Sequence, residues 1–372
     1  MAKKFEAPML VTKSAMPTLE RYTKMLEKIW ESSVLTNNGP LHCELAEKLK
    51  EYLKTNNITL FTNGHLALDC ALRALNLKGE VITTPYTFVS TTHAISMNGL
   101  KPVFCDIKMS DYTIDETKIE ELITEDTCAI VPVHVYGHPC NVEKIQEIAD
   151  KHNLPVIYDA AHAFGVEIEG KGIAEFGDMS MFSFHATKVF NTIEGGAIAF
   201  NNDKFVKTLN LLKNFGISGP EDIDCIGLNA KMNEFQAAMG LANLEEIEKK
   251  IENRKQAYET YQKKLKDVPG LRFVEIPENI KYNYAYISIL VDEKLFGKDR
   301  NALYDQLTEY NVFARKYFYP LITNTIPYSH TGANVPVAQY VSDHVLCLPL
   351  FGDMTVAEVE QVCDIILEIH NK

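Results

Sequence analysis

Residues 183–188 read SFHATK, and EGG follows at residues 194–196. This stretch places one amine, Lys188, on a short segment between two apolar runs. Upstream, residues 158–165 read YDAAHAFG, so that another apolar run ends in the carboxylate of Asp159, followed by small residues. A lysine and a carboxylate at the edge of one sheet suit pyridoxal 5'-phosphate (PLP), which needs an amine for its aldehyde and an acidic partner for its ring nitrogen.

Short apolar runs alternate with helical patterns in the N-terminal half of the chain. Runs that are apolar throughout are typical of strands buried on both faces. Alternation of such strands with helices predicts βαβ units and an α/β fold with a mostly parallel sheet. Strands are predicted at 58–61, 80–83, 129–135 and 155–158, and helices from about 66, at 91–97 and at 142–151.

The C-terminal part of the chain has a different pattern. Residues 233–266 carry apolar side chains at three- and four-residue spacing, which predicts one long helix bridging two domains. We therefore predict a large α/β domain at 1–245 and a smaller α+β domain at 246–372. In the smaller domain, strands are predicted at 271–274, 284–291 and 345–350, and helices at 299–309 and 356–369.

Composition excludes several classes of protein. Hydrophobic residues make up 46% of the 372 residues and charged residues 23%, as in ordinary globular proteins. The 37 Lys+Arg against 50 Asp+Glu give a net charge of -13, and without a basic patch this argues against nucleic acid as a partner. Eight scattered cysteines without a C-x-x-C pair, and no apolar span of membrane length, predict a cytoplasmic protein with reduced thiols and no metal site.

The first predicted strand is followed by NGH at residues 63–65, which opens an apolar helix. Free backbone N–H groups and the positive end of the helix dipole at such a turn suit a phosphate group. A plain strand-to-helix turn, with Gly64 for its conformation, is the alternative. The next strand is followed by TPYTF at 84–88, whose Phe88 either stacks on a planar cofactor or packs in the core.

Asp159 and Lys188 each have a structural alternative as well. Asp159 could cap a following helix, and Lys188 could be an ordinary surface lysine after a strand. Ser183, however, lies five residues before Lys188 and can donate its hydroxyl to the same phosphate group. The glycine pair at 195–196 lets the backbone pass close to a ligand. Together these features favour the PLP site.

Taken as a set, these motifs resemble the sugar-nucleotide aminotransferases of the DegT/DnrJ/EryC1/StrS family. The resemblance covers nearly the whole chain in order, and it implies the aspartate-aminotransferase-like fold (fold type I). It also implies a homodimer whose active sites are shared between subunits. The segments that carry it are NG at 63–64, PYTF at 85–88, DAAH at 159–162, SFHATK at 183–188, EGG at 194–196 and GLNAKM at 227–232.

The resemblance also implies roles for individual residues. Lys188 would form the Schiff base with PLP and then shuttle protons, and Asp159 would pair with the pyridine nitrogen. Phe88 would stack on the ring and His162 would lie beside it. The implied cofactor-binding residues, with Asn229 supplied by the neighbouring subunit, are Asn63, Gly64, His65, Phe88, Asp159, His162, Ser183, Lys188 and Asn229.

Two further residues are candidate substrate contacts. Tyr317 belongs to a C-terminal segment, RKYFYP at 315–320, that is similar to the family. His185, three residues before Lys188, is placed to contact the sugar or its pyrophosphate. A structural histidine hydrogen-bonded to the backbone is the alternative for His185.

Residues 132–140 and 184–192 are most similar to family members that aminate dTDP-4-dehydro-6-deoxyglucose at C4 with L-glutamate, for O-antigen polysaccharide. PLP and pyridoxamine phosphate would alternate in that reaction. A C3 ketone, a UDP- or GDP-linked sugar, or a PLP-binding regulator without turnover remain alternatives. Lys188 argues against the family's dehydratases, which carry His at that position. No G-x-G-x-x-G follows the first strand, which argues against a dinucleotide-binding oxidoreductase.

Overall fold

The computed structural model describes residues 2–372. Its strands, in chain order, are β1 Met9–Leu10, β2 Asn57–Phe61, β3 Glu80–Thr83, β4 Lys101–Phe104, β5 Thr127–Val131, β6 Ile157–Asp159, β7 Glu167–Ile168, β8 Lys171–Gly172, β9 Met179–Ser183, β10 Gly196–Phe200, β11 Leu271–Phe273, β12 Ile280–Lys281, β13 Ile287–Val291, β14 Val312–Phe313 and β15 Val345–Leu348. Its α-helices are α1 Leu19–Ser32, α2 Pro40–Leu53, α3 Gly64–Ala74, α4 Val89–Met97, α5 Val142–His152, α6 Lys204–Leu212, α7 Glu234–Leu244, α8 Ile247–Leu265, α9 Glu293–Phe296, α10 Arg300–Glu309, α11 Pro336–His344 and α12 Val356–Asn371.

The central sheet has the strand order β4-β3-β5-β6-β9-β10-β2. Single parallel bridges, such as Val133 with Asp159, join β5 to β6. Only β10 is antiparallel to its neighbours, β9 and β2, because the chain returns directly from β9 to β10 without a helical crossover. The predicted mostly parallel mixed sheet is therefore confirmed. The return from β9 to β10 carries Lys188.

Helices cover both faces of this sheet. On one face, Leu68 of α3 and Leu209 of α6 pack against Ile198 of β10 in one buried cluster. On the other face, Leu45 of α2 and Leu241 of α7 belong to a second cluster. Burying each such side chain stabilises the fold by roughly 1.5–3 kcal/mol. The strands beneath are therefore shielded on both sides, as their continuous apolar sequence predicts.

The prediction of a single helix over 233–266 is wrong. Two helices, α7 and α8, occupy this stretch, and Glu246 between them has φ −112° and ψ 3°, outside helical values. Arg21 of α1 contacts Glu246 at 2.6 Å and Glu245 at 3.9 Å, which holds the break in place. Apolar periodicity continues across the break and so does not reveal it.

The C-terminal part has its own three-stranded antiparallel sheet, of order β11-β13-β15, with a core completed by α8, α10 and α12. The short strand β1 pairs in parallel with β14, so the N-terminal stretch lies against this part of the chain. The boundary between residues 245 and 246 stays a prediction. Among residues 2–372, no helix has the length and apolar character required to cross a bilayer.

Candidate active site

Four segments meet at one edge of the central sheet, where parallel strands end. They are the turns after β2, β3 and β6 and the return after β9. A cavity of about 500 Å³ opens at this edge. Ligands in α/β proteins commonly bind outside the carboxyl ends of the strands. Of the eleven residues predicted for the site, all except Asn229 line this cavity.

The N-terminus of α3 forms one wall of the cavity. Asn63 caps this helix, with its Oδ1 accepting a hydrogen bond from Leu66 N at 2.8 Å. The N–H groups of Gly64 and His65 precede the first internal hydrogen bond of the helix and are free to bind an anion. His65 Nδ1 lies 2.9 Å from Ser90 Oγ, so its ring is tied to the start of α4.

Two glycines bring the walls of this cradle together. A Cβ on Gly196 would lie 2.6 Å from Gly64 Cα, and a Cβ on Gly64 would lie 3.0 Å from Ser183 Cβ. A Cβ on Gly195 would lie 1.9 Å from Thr192 Oγ1. That the glycine pair at 195–196 lets the backbone pass close to a ligand stays a prediction. The glycines admit neighbouring protein atoms, which fixes the turn that begins α3.

Asp159, the last residue of β6, presents a buried carboxylate to the cavity. Its Oδ2 accepts a hydrogen bond from Thr91 Oγ1 at 2.6 Å, and its Oδ1 accepts one from Ala161 N at 3.0 Å. Burial raises the pKa of the Asp159 carboxyl, while the two hydrogen bonds and the charge of Lys188 favour its ionised form. Asp159 therefore makes the cap-like hydrogen bond with Ala161 N and also lines the cavity.

Lys188 reaches the same cavity from the return after β9. Burial lowers the pKa of its amine to about 8; the charge of Asp159 raises this pKa and that of Arg315 lowers it further. Within residues 2–372, the Lys188 amine makes no hydrogen bond or ion pair through Nζ. A partly buried amine without a partner is poised to react with a carbonyl group.

The lowered pKa of Lys188 predicts how the cofactor-free protein takes up PLP. Below a pH of about 8 the amine is protonated and inert, and above it the neutral amine attacks the aldehyde. The rate of uptake should therefore rise through about pH 8 and level off. Stopped-flow absorbance measures this rate. A rate still rising towards 10.5, the ordinary lysine value, would contradict the effect of burial.

His162 lies buried beside Lys188 and is held as a neutral ring. Its Nδ1 accepts a hydrogen bond from Tyr136 N at 3.0 Å, and Asn283 Nδ2 donates to its carbonyl oxygen at 2.8 Å. Burial, with a smaller effect of the Lys188 charge, lowers the pKa of His162 well below its ordinary value. The hydrogen on the ring is therefore on Nε2.

The chemistry of these side chains fits PLP. A phosphate group matches the free N–H groups at the start of α3, a basic ring nitrogen matches the carboxylate of Asp159, and an aldehyde matches the unpartnered amine of Lys188. Phe88, at the N-cap of α4, is 49% exposed and lines the cavity, which leaves its ring available for stacking. The same cavity thus holds a partner for each reactive part of the cofactor.

The opposite wall comes from the C-terminal part of the chain. Arg315 and Tyr317 line the cavity, and the guanidinium of Arg315 lies 4.1 Å from the centre of the Tyr317 ring. The carbonyl oxygen of Tyr317 accepts hydrogen bonds from the hydroxyls of Tyr86, at 3.0 Å, and Tyr136. These two hydroxyls anchor this wall to the sheet.

His185 and Asn229, the two remaining predicted residues, lie in different places. His185 lies at the cavity, and its Nδ1 is 2.9 Å from Thr187 Oγ1. Asn229 is exposed and bridges to Asn214 outside this cavity, and its role towards a neighbouring subunit stays a prediction. The residues that line the cavity without having been predicted are Thr87, Ser90, Val133, Ala161, Met181, Thr187, Glu194 and Arg315.

Comparison with known proteins defines the class. Residues 18–367 match the DegT/DnrJ/EryC1/StrS aminotransferase family, and the chain belongs to it. It is 46% identical to a dTDP-4-amino-4,6-dideoxy-D-glucose transaminase of Shigella dysenteriae, covering 98% of this chain and 100% of that protein. It is 45% identical to a transaminase of the same name from Escherichia coli, covering 96% and 97% respectively.

A solved structure agrees with this assignment. The crystal structure of DesI in the presence of its TDP-sugar product superimposes with a TM-score of 0.95 at 31% identity, covering 100% of this chain and 95% of that one. The predicted family, fold type I, aminotransferase class and dependence on PLP are confirmed. The alternative of a dinucleotide-binding oxidoreductase is excluded. The roles of individual side chains stay predictions.

Proposed function

We propose that the protein transfers an amino group from L-glutamate to the C4 ketone of dTDP-4-dehydro-6-deoxy-D-glucose. The product is dTDP-4-amino-4,6-dideoxy-D-glucose, a precursor for O-antigen polysaccharide. The observation that carries this proposal is full-length similarity to two transaminases named for that sugar, combined with an unpartnered Lys188 facing a buried carboxylate. Lys188 and the complete cavity argue against a regulator without turnover.

Bound PLP supplies an aldehyde that condenses with amines and a protonated ring that withdraws electrons from the adjacent carbon. Asp159, held by Thr91 and Ala161, would supply the negative charge that pairs with the ring nitrogen of bound PLP. Lys188 Nζ, whose pKa burial lowers to about 8, accepts in its neutral form the proton that leaves Cα of the amino donor. In the second half of the reaction the same Nζ delivers a proton to C4 of the sugar.

Arg315 supports a dicarboxylic amino donor. Its guanidinium lines the cavity, has no carboxylate partner within the described residues 2–372, and lies 4.1 Å from the centre of the Tyr317 ring. A guanidinium presents paired N–H groups that match a carboxylate. Glutamate carries two carboxylates, one more than a neutral amino acid, and Arg315 is placed to bind one of the two.

Replacing Arg315 tests the choice of donor. Arg315→Met should raise KM for glutamate by about 10- to 100-fold, because a charge-assisted hydrogen bond is lost, and leave KM for the keto-sugar within about twofold. Steady-state kinetics with each substrate varied in turn measures both constants. Lys316→Met, one residue away and outside the cavity, is the matched control. An unchanged KM for glutamate would remove Arg315 from donor binding.

A homodimer with shared active sites is part of the proposal. The segment that carries Asn229 also exposes large apolar side chains, with Ile226 89% exposed, Ile223 73% and Phe215 47%. Exposed apolar side chains in one segment mark a surface that another chain covers. Such a contact would bring Asn229 towards the neighbouring cavity. Sedimentation equilibrium should therefore give twice the mass of 42.0 kDa, and a monomer would contradict it.

Cytoplasmic residence is also proposed. All eight cysteines are free thiols, and five of them are buried. Reduced thiols are typical of proteins in a reducing compartment. Cell fractionation of the native host tests this location, and recovery of the protein outside the cytoplasm would contradict the proposal.

The decisive experiment is to identify the product. Purified protein is incubated with PLP, L-glutamate and dTDP-4-dehydro-6-deoxyglucose, and the product is determined by NMR. An equatorial amine at C4 is expected. An axial amine would keep the amino transfer and overturn the assigned sugar. Absence of product, with turnover of C3-keto or UDP- or GDP-linked sugars in parallel reactions, would move the assignment to those substrates.

A further inference from the structure

The residue that precedes Glu194 has an unusual backbone. Ile193 has φ +71°, in the left-handed region that β-branched residues rarely adopt. Residues keep such a conformation only where the surrounding structure imposes it, and they concentrate at functional sites. Ile193 lies between Lys188 and the glycine pair at 195–196, next to the cavity. The left-handed conformation of Ile193 therefore points to a functional role for this segment.

The surroundings of Ile193 fix the backbone of the next residue. The carbonyl oxygen of Glu194 accepts hydrogen bonds from Gln236 Nε2 at 2.6 Å and Thr192 Oγ1 at 2.7 Å. Gln236 also donates to Thr62 O at 3.2 Å, which ties this point to the end of β2. Gly195 packs against Thr192, since a Cβ there would lie 1.9 Å from Thr192 Oγ1. The strained segment and these hydrogen bonds thus hold the backbone from which the Glu194 side chain extends.

That side chain is 54% exposed, lines the cavity and lies near His185. Glu194 Oε1 lies 3.6 Å from His185 Nε2, and both residues line the same cavity as Lys188. His185 Nδ1 accepts a hydrogen bond from Thr187 N at 3.3 Å, so in the neutral ring the hydrogen is on Nε2, facing the carboxylate. The pair offers one acceptor and one donor side by side.

We propose that Glu194 is a specificity-determining residue whose carboxylate accepts a hydrogen bond from the sugar hydroxyl next to the ketone, with His185 Nε2 beside it. This inference rests on the proposed function, since it takes the hexose of that reaction as substrate. The sugar carries ring hydroxyls at C2 and C3 and none at C6. Because Lys188 must reach C4, the hydroxyl nearest to the reacting carbon is that at C3. Within residues 2–372 the Glu194 carboxylate accepts no hydrogen bond, and its ion-pair neighbour His185 Nε2 lies at 3.6 Å, so lone pairs are free for such a hydroxyl.

The test compares Glu194→Gln with the wild-type enzyme in the two halves of the reaction. The variant keeps the size of the side chain and removes its charge. It should lower kcat/KM for the keto-sugar by about 10- to 100-fold, because a hydrogen bond to a charged group is weakened. The rate of amine loading from glutamate, followed by cofactor absorbance in a single turnover, should stay within about twofold of the wild-type rate. Glu278→Gln, on an exposed residue outside the cavity, is the matched control.

A substrate analogue tests the same contact without any variant. The wild-type enzyme should lose a similar factor with the 3-deoxy form of the keto-sugar, whereas Glu194→Gln should barely distinguish the two sugars. Equal losses in both half-reactions would assign Glu194 a purely structural role and overturn the proposal. So would full activity of the variant, or a wild-type enzyme indifferent to the 3-deoxy analogue. Failure of the wild-type enzyme to aminate the parent sugar would instead overturn the proposed function.

Discussion

The Lys188→Ala variant is expected to lose amino transfer by about 10,000-fold, the upper end of what a positioned proton-transfer group contributes. Lys188 is the amine that faces Asp159 in the cavity, and the only proton carrier proposed for both half-reactions. Removal of its side chain leaves the cofactor without its covalent anchor and the donor Cα without a base. Steady-state assays with glutamate and the keto-sugar measure the loss.

A second measurement separates chemistry from folding in that variant. Lys204→Ala changes an exposed lysine outside the cavity and should keep full activity. A small primary amine added to Lys188→Ala should restore part of the rate, since it fits the space left by the side chain and can carry the proton. Turnover within about tenfold of the wild-type rate would remove Lys188 from the chemistry.

The second large effect concerns Asp159. Asp159→Asn should lower kcat by about 100- to 1,000-fold, the loss typical of removing one preorganised electrostatic partner. The amide keeps the shape of the side chain and still accepts from Ala161 N, but no negative charge remains to hold a proton on the ring nitrogen. Single-turnover reaction with glutamate measures the step directly.

Thermal unfolding and a control complete this test. Asp159→Asn should unfold within a few degrees of the wild-type protein, because burial already disfavours the charged carboxyl. Asp126→Asn, on an exposed residue far from the cavity, should match the wild-type enzyme in both assays. A kcat unchanged by Asp159→Asn would show that the ring nitrogen needs no anionic partner here.

Several residues of the site could be predicted because each lies at the end of an apolar strand or after it. Asp159 is the last residue of β6, Gly64 and Lys188 follow β2 and β9, and the parallel arrangement of these strands brings their ends to one edge. The sequence thus contained both the strand pattern and the residue types that PLP chemistry requires. The antiparallel course of β10 escaped prediction, since pairing direction leaves no mark in a fully buried strand.

Arg315 and Glu194 could not be predicted, for two different physical reasons. Arg315 lines the cavity beside Tyr317, whose carbonyl is held by hydroxyls from distant segments, a contact without local sequence pattern. Glu194 lines it on a segment where Ile193 adopts a conformation that its residue type disfavours. Thr91 likewise meets Asp159 across 68 residues of sequence.

The packing of Gly196 beneath Gly64 constrains how this wall of the cavity can evolve. A first substitution at Gly196 meets the backbone of the turn at 2.6 Å and one at Gly64 meets Ser183 at 3.0 Å, so either change alone is penalised. Divergence here requires compensating changes in the same lineage, a case of epistasis. The wall carrying Arg315 and Tyr317 contains no glycine packed in this way. Changes of substrate preference are therefore expected there rather than in the cradle at α3.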